Sequence, residues 1–201
     1  MVGFAVWKMK ESALQLIPTS LKDVVILEPK VFGDARGFFL EAYNEATFAA
    51  FGLPTRYVQD NHSGSRKGVL RGIHYQVKQP QGKLVRALRG EIFDVAVDLR
   101  QDSAQFGQWF GLNLSAENKR MLWIPPGFGH GFLVLSDFAE VSYKATAFYA
   151  PTFERSLLWS DPAIAIAWPL NGEPILSDKD AAGSLLAEAE TYPASGNLLA
   201  G

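Results

Sequence analysis

Short runs in which apolar and polar residues alternate one for one recur along the chain. Over residues 93–99, Phe93, Val95, Val97 and Leu99 fall on one face and Asp94, Ala96 and Asp98 on the other, the period of two that a pleated strand imposes. Phe110, Leu112 and Leu114 repeat the pattern, as do residues 141–149. Residues 24–27, 37–43, 56–60, 84–88 and 132–135 are further strand candidates. Helical spacing is confined to residues 45–51, which stop before Gly52 and Pro54, and to residues 179–189. The 18 glycines and 11 prolines lie between these runs and are not pooled in a linker, so they punctuate short elements. Many short strands with little helix predict an all-β sandwich or barrel carrying a few short peripheral helices.

A length of 201 residues suits one folded unit, since domains usually run to roughly 100–200 residues. The expected division is an N-terminal extension over 1–20, one domain over 21–188, and a loose tail of small residues over 189–201. The apolar run 1–7 is short, has no basic residue before it, and meets Lys8, Lys10 and Glu11 at once. It reads as an extension and not as a secretory signal, with Met9 as an alternative start. No stretch reaches the roughly 18–20 apolar residues that span a bilayer, and a cytoplasmic protein is expected.

Composition narrows the chemistry. A hydrophobic content of 48%, with 12% aromatics, supports a substantial core. The 19 basic and 21 acidic residues leave a net charge of −2, which excludes a broad basic surface for nucleic acid or an acidic membrane. Cysteine is absent, removing disulfides, thiolate metal sites and thiol nucleophiles together. Near-neutral proton transfer therefore falls to three histidines, His62, His74 and His130, the side chains that titrate in that range.

Two of them sit in glycine-bounded segments, residues 68–76 around His74 and 125–132 around His130. These segments resemble the two motifs of the cupin superfamily, a jelly-roll β-barrel with a central pocket. Metal-binding cupins carry a His-x-His pair and a later Glu in the first motif. Here Gln76 occupies the second position of the pair, and no Glu follows before Glu91. Two imidazoles and an amide hold a divalent cation weakly, because such sites take three or four donors including a carboxylate. The expected pocket holds no metal, and His74 is free to move protons.

A closer resemblance emerges outside these motifs. Residues 29–41, 59–63, 81–86, 94–100, 122–125, 143–146, 159–162 and 176–181 are similar, in order, to motifs of the dTDP-4-dehydrorhamnose 3,5-epimerase family, over roughly residues 24–186. A series in order is far more specific than any one motif. The resemblance implies inversion of C3 and C5 of dTDP-4-dehydro-6-deoxy-D-glucose to give dTDP-4-dehydro-β-L-rhamnose, in dTDP-L-rhamnose biosynthesis and without a cofactor. Both carbons flank the C4 ketone, so loss of either proton gives an enolate. That chemistry needs a base, a cation or donor at the oxyanion, and an acid on the opposite face.

The same resemblance assigns His74 as base, Asp180 as its orienting partner, Tyr143 as acid and Lys83 as the cation near the ketone. Arg36 and Arg71 match pyrophosphate contacts. Glu41, Gln59, Asp60 (through its backbone), Asn61, Glu154 and Lys179 match nucleotide or sugar contacts, and Tyr149 matches a ring that stacks on thymine. His130 falls in the pocket as a binding or oxyanion residue, while His62 reads as a structural group holding the turn after Asn61. Asp94 and Asp98 read as a solvated or ion-paired strand face. Tyr143 and Tyr149 are an even number of residues apart and would share one face of a regular strand. Arg71 and His74 are an odd number apart, which calls for a bulge near Gly72. The implied assembly is a homodimer in which early strands of one subunit help to form the other's pocket, with Arg36 reaching across. No nucleic-acid or membrane partner is expected.

Two alternatives stand beside this reading: an epimerase acting at one carbon of another dTDP-4-keto-deoxysugar, and a metal-dependent cupin or non-catalytic sugar-nucleotide binder. Exhaustive chelation is expected to leave turnover unchanged. Activity lost on chelation and restored by a divalent cation would overturn the proton-transfer role of His74.

Overall fold

Alternation becomes architecture through two antiparallel sheets packed face to face in a computed structural model that describes residues 13–193. The run 1–7, Met9 and positions 194–201 of the expected tail lie outside the described residues. One sheet joins β1 (Leu14–Pro18), β2 (Val25–Pro29), β10 (Met121–Ile124), β7 (Lys83–Arg89), β12 (Phe138–Ala145) and β5 (Gln59–Arg66), in that spatial order. The other joins β13 (Glu154–Ser156), β6 (Leu70–Gln76), β11 (Phe128–Val134), β8 (Glu91–Asp98) and β9 (Trp109–Ser115). A separate hairpin pairs β3 (Val31–Asp34) with β4 (Gly37–Leu40). The helices are short: α1 (Glu45–Ala50), capped by Asn44, and α2 (Asp178–Ala181), capped by Ser177. This is the expected all-β, cupin-like β-sandwich with peripheral helices.

Three apolar layers explain the alternation. Between the sheets lie Val85, Ile92, Ala96, Leu122, Phe128, Phe132 and Val141, all buried. Their strand neighbours point outward and are covered as well. Val95, Val97, Leu99 and Ile73 pack beneath Leu157, Ile164 and Tyr192 of the C-terminal chain, while Leu27, Leu84, Met121 and Trp123 pack beneath Phe48 of α1. A strand of the second sheet therefore buries both faces, which is why 0% of Asp94 and of Asp98 reaches the surface. Of the expected solvated or ion-paired face, the solvated alternative is corrected accordingly and the paired one stands. Asp98 is closed by Arg100 and Ser103, and Asp94 points between the sheets beside His130.

Several boundaries differ from the expected ones. Leu14–Pro18 pairs residue for residue with β2, and Tyr192 is buried with its hydroxyl donating to the Gln76 carbonyl at 2.8 Å. The folded unit thus reaches beyond both 21 and 188. The expected helix at 179–189 stops at Ala181, because Gly183 presses onto Leu157: a Cβ there would lie 2.5 Å from the Leu157 carbonyl carbon. The strand expected at 56–60 instead occupies Gln59–Arg66, where the inward residues Gln59, Asn61, Ser63 and Ser65 are polar and carry no hydrophobic alternation. His62 lies mid-strand with an exposed side chain against Glu140, 3.2 Å away, so it holds no turn. No helix among the described residues is long and apolar enough to cross a membrane.

The bulge expected near Gly72 is present. His130 lies opposite His74 and Phe132 opposite Arg71, so three steps along β6 match two along β11. Arg71 and His74 consequently share a face. Gly72 has φ +118°, and a Cβ on it would sit 2.5 Å from Gly131 Cα and 2.7 Å from the His130 carbonyl oxygen. Gly72→Ala is expected to cost about 3 kcal/mol, combining backbone strain with overpacking, read as a lower midpoint in urea unfolding. A cost below about 1 kcal/mol would show that the strands can part at this point.

Candidate active site

The polar residues between the sheets collect on two facing walls. On the second sheet, His74 is half-buried, and its Nε2 lies 2.5 Å from Oδ1 of Asp180. The same Oδ1 accepts from the Gly72 N–H at 3.2 Å, and Oδ2 accepts from the Ser177 hydroxyl at 2.6 Å. Burial works against the Asp180 charge, but the hydrogen bonds from His74, Ser177 and Gly72 outweigh it and hold the carboxyl at about 2. An ionised carboxylate only accepts, so the imidazole donates through Nε2 and its lone pair lies on Nδ1. Burial also pushes His74 below its ordinary value, opposed by Asp180 and assisted by the charges of Lys179 and Lys83. A neutral imidazole beside a carboxylate is the resting state at neutral pH.

Directly across the strand pair, His130 presents Nε2 to Asp94 Oδ1 at 2.8 Å. Both residues are buried, and Asp94 Oδ2 has no hydrogen-bond partner among the described residues. The two imidazoles thus turn to separate carboxylates. No group of three or more His, Cys, Asp or Glu among the described residues could hold a metal ion.

The first sheet supplies the opposite wall. Lys83 opens β7, is 7% exposed, and directs Nζ to the His74 carbonyl at 3.4 Å. Burial pulls its ammonium down to about 8, against the attraction of Glu154 and Asp94. Tyr143 lies on β12 in register with Val85 of β7 and Asn61 of β5. Its ring stands 6.2 Å from the His130 ring. Burial and Glu154 raise its phenol, while the Arg71 charge opposes them. Arg71 is anchored by Nε and Nη2 donating to the Ser65 hydroxyl at 3.1 and 3.0 Å.

The rim joins the remaining groups. Glu154 accepts from Lys179 at 2.8 Å and from the Tyr149 hydroxyl at 2.9 Å. Tyr149 does not share a strand face with Tyr143, because β12 ends at Ala145 and the chain turns. It reaches the rim through that turn, its N–H donating to Gln59 Oε1 at 2.7 Å. Gln59 also donates to Asn61 at 2.9 Å. Asp60 points the other way and pairs with Lys144 at 2.7 Å, leaving only its backbone toward the cavity.

Arg36 and Glu41 are not brought to this cluster. Arg36 is exposed and paired with Asp34 of its own hairpin, and Glu41 accepts from Asn44. Residues unassigned from the sequence also enter the site: Asp94 behind His130, Ser65 behind Arg71, and Ser177 behind Asp180. Only Ser177 carried a local signal, as a cap three residues before an acidic position.

Comparison with known proteins points the same way. A family model described as dTDP-4-dehydrorhamnose 3,5-epimerase matches residues 18–188. The chain is 58% identical over 175 residues to the dTDP-4-dehydrorhamnose 3,5-epimerase of Pseudomonas aeruginosa, covering 87% of this chain and 97% of that one. Identity to the enzyme of that name from Salmonella typhimurium is 60% over 176 residues, covering 87% and 96%. Among solved structures, it is similar to the dTDP-6-deoxy-D-glucose-3,5-epimerase of Legionella pneumophila in complex with dTDP-4-keto-L-rhamnose. The TM-score is 0.88 at 49% identity, over 91% of this chain and all of that one, 100%.

The depressed Asp180 pKa sets a pH signature. The group titrates at about 2 against 3.8 for an unperturbed carboxyl, so its contribution is complete above the unfolded value and is lost as pH falls from about 4 through 2. At neutral pH, Asp180→Asn is expected to lose about 2 kcal/mol of stability by that linkage. Parallel urea titrations should show the gap from wild type closing over that acid window. A gap independent of pH would separate the loss from the carboxylate's charge. The variant also removes a group that raises His74, so the acid limb of kcat/KM should move to lower pH.

Proposed function

Because the chain belongs to the dTDP-4-dehydrorhamnose 3,5-epimerase family, we propose that it inverts C3 and C5 of dTDP-4-dehydro-6-deoxy-D-glucose, giving dTDP-4-dehydro-β-L-rhamnose for dTDP-L-rhamnose biosynthesis. The observation that carries this reading is the opposition of His74 on one sheet to Tyr143 on the other. A sugar ring between them offers one face to a base and the other to an acid.

His74 Nδ1 takes the proton from the carbon beside the ketone, while Asp180 keeps the ring in the correct tautomer and favours the imidazolium that forms. The electron pair moves onto the C4 oxygen, where the Lys83 ammonium stabilises it. A value of about 8 leaves this group mostly charged at neutral pH, and its burial strengthens the attraction. His130, fixed by Asp94, is a second polar contact on the pocket wall. Tyr143 then delivers its proton to the opposite face of the carbon, since a phenol raised by burial stays protonated until an enolate is present. Arg71 steadies the resulting tyrosinate and binds the pyrophosphate with Arg36. Solvent takes the proton from His74 and returns one to Tyr143, and rotation of the substrate within the site, or rebinding, exposes the second carbon to the reset pair.

A homodimer completes the reading. The hairpin exposes Val31, Phe32, Phe38 and Phe39 at 43, 51, 62 and 69%, an apolar surface that a single subunit leaves to water. Arg36 and Glu41 lie on or just after it, and seating the hairpin on a partner would carry them to the partner's pocket. The proposed location is cytoplasmic, as suits a nucleotide-sugar substrate.

In deuterium oxide, solvent label is expected at both C3 and C5. Label at one carbon would identify a mono-epimerase, and label at neither would sink the enolate mechanism. His74→Ala should abolish incorporation. Tyr143→Phe should lose net inversion by roughly 10²- to 10⁴-fold, the usual range for one proton-transfer group, while His74 still exchanges the proton it removes.

A further inference from the structure

Where β12 ends at Ala145, the chain makes a turn that pairs with no strand among the described residues, yet four consecutive residues of that turn are held by side chains. Three glutamines hold them. Gln81 Nε2 donates to the Ala147 carbonyl at 2.9 Å. Gln59 Oε1 accepts from the Tyr149 N–H at 2.7 Å. Gln76 holds two points at once: its Oε1 accepts from the Ala150 N–H at 2.8 Å, and its Nε2 donates to the Phe148 carbonyl at 3.3 Å. The other Nε2 hydrogen is directed to the Gln79 carbonyl at 2.8 Å. Gln76 is 3% exposed, and every donor and acceptor direction in use ends on backbone.

The rings this turn carries are the opposite of buried, with Phe148 64% and Tyr149 52% exposed. An exposed aromatic on an unpaired turn would ordinarily sample many positions, and a ligand stacking on it would bear the entropy of ordering the loop. Pinning the backbone removes that cost before the ligand arrives. The amide is the group this task requires. A carboxylate offers no donor, and an imidazole offers one donor and one acceptor on opposite edges, so neither makes the Ala150 and Phe148 contacts together.

We propose that Gln76 is a positioning residue for nucleobase recognition: with Gln81 it pre-orders the 147–150 turn so that Tyr149 meets the thymine ring without a loop-ordering penalty. The position that a metal-binding cupin gives to its second histidine here serves ligand recognition through a loop. This role rests on Tyr149 being the thymine-facing ring.

The test is a double-mutant cycle on dTDP affinity by titration calorimetry, using the full chain with Gln76→Glu, Tyr149→Ala and both together. Gln76→Glu keeps the acceptor for Ala150 and removes the donors. Each single variant is expected to weaken dTDP by about tenfold, the size of a lost base stack or a broken buried hydrogen bond. The double variant should be little worse than the weaker single, because both changes remove one interaction. With the 4-keto sugar nucleotide, KM should rise in Gln76→Glu while kcat stays within about threefold, the pattern of lost uniform binding. If Tyr149→Ala binds dTDP like wild type, the stacking role itself is wrong. If Tyr149→Ala weakens binding but Gln76→Glu does not, or if the two losses add, the clamp is refuted. Should Gln76→Glu fail to fold, Gln81→Ala carries the same cycle through the Ala147 carbonyl.

Discussion

The site depends on the close approach of β6 and β11 at Gly72 and Gly131. Two strands meet there with no room for a Cβ on either glycine, and the extra residue this forces into β6 turns the strand by one position. Arg71 and His74 come onto the same wall as a result. The same distortion directs the Gly72 N–H to Oδ1 of Asp180, the oxygen that receives His74. One backbone contact therefore sets the position of Arg71, the orientation of the imidazole and the seating of its carboxylate. A regular strand would have delivered only one of Arg71 and His74 to the cavity.

Around that contact, the cavity concentrates charge that the chain as a whole conceals. A net charge of −2 is compatible with a buried lysine, two histidine–carboxylate pairs and a half-buried Glu154, because the histidines and Glu154 are paired locally and the lysine donates to a backbone carbonyl. Desolvation is the common cause. It lowers the affinity of His74 and Lys83 for their protons and raises that of Tyr143, which keeps the imidazole neutral and the phenol protonated at neutral pH. Asp94 and Asp180 work from behind, each supporting an imidazole. The second sheet is covered on both faces, so the C-terminal wrap through Tyr192 is part of the folded unit and not a tail.

Legibility differed sharply between the two sheets. Strands with an apolar face packed into the core, such as β8 and β9, were evident from their alternation. β5 was not, because its inward face is Gln59, Asn61, Ser63 and Ser65, and a polar cavity lining looks like a solvated surface in a linear pattern. The same ambiguity hid Asp94: an alternating carboxylate reads as exposed unless something is known to cover that face. The reach of Tyr149 was misread for another reason. Counting residues assumes an unbroken strand, and β12 ends where the glutamines take over from the ladder.

By itself, the sequence determined the fold class, the absence of thiol chemistry, the two histidine motifs and the family likeness, since these rest on residue identity, order and local periodicity. Tertiary structure alone decided which carboxylate serves which histidine, how the odd spacing of Arg71 and His74 is resolved, and why Gln76 stands where a metal ligand would. Asp180 is 106 residues from His74, and Phe148 is 72 from Gln76. Contacts of that range exist only once two sheets have closed on each other, because no local preference of the chain encodes them.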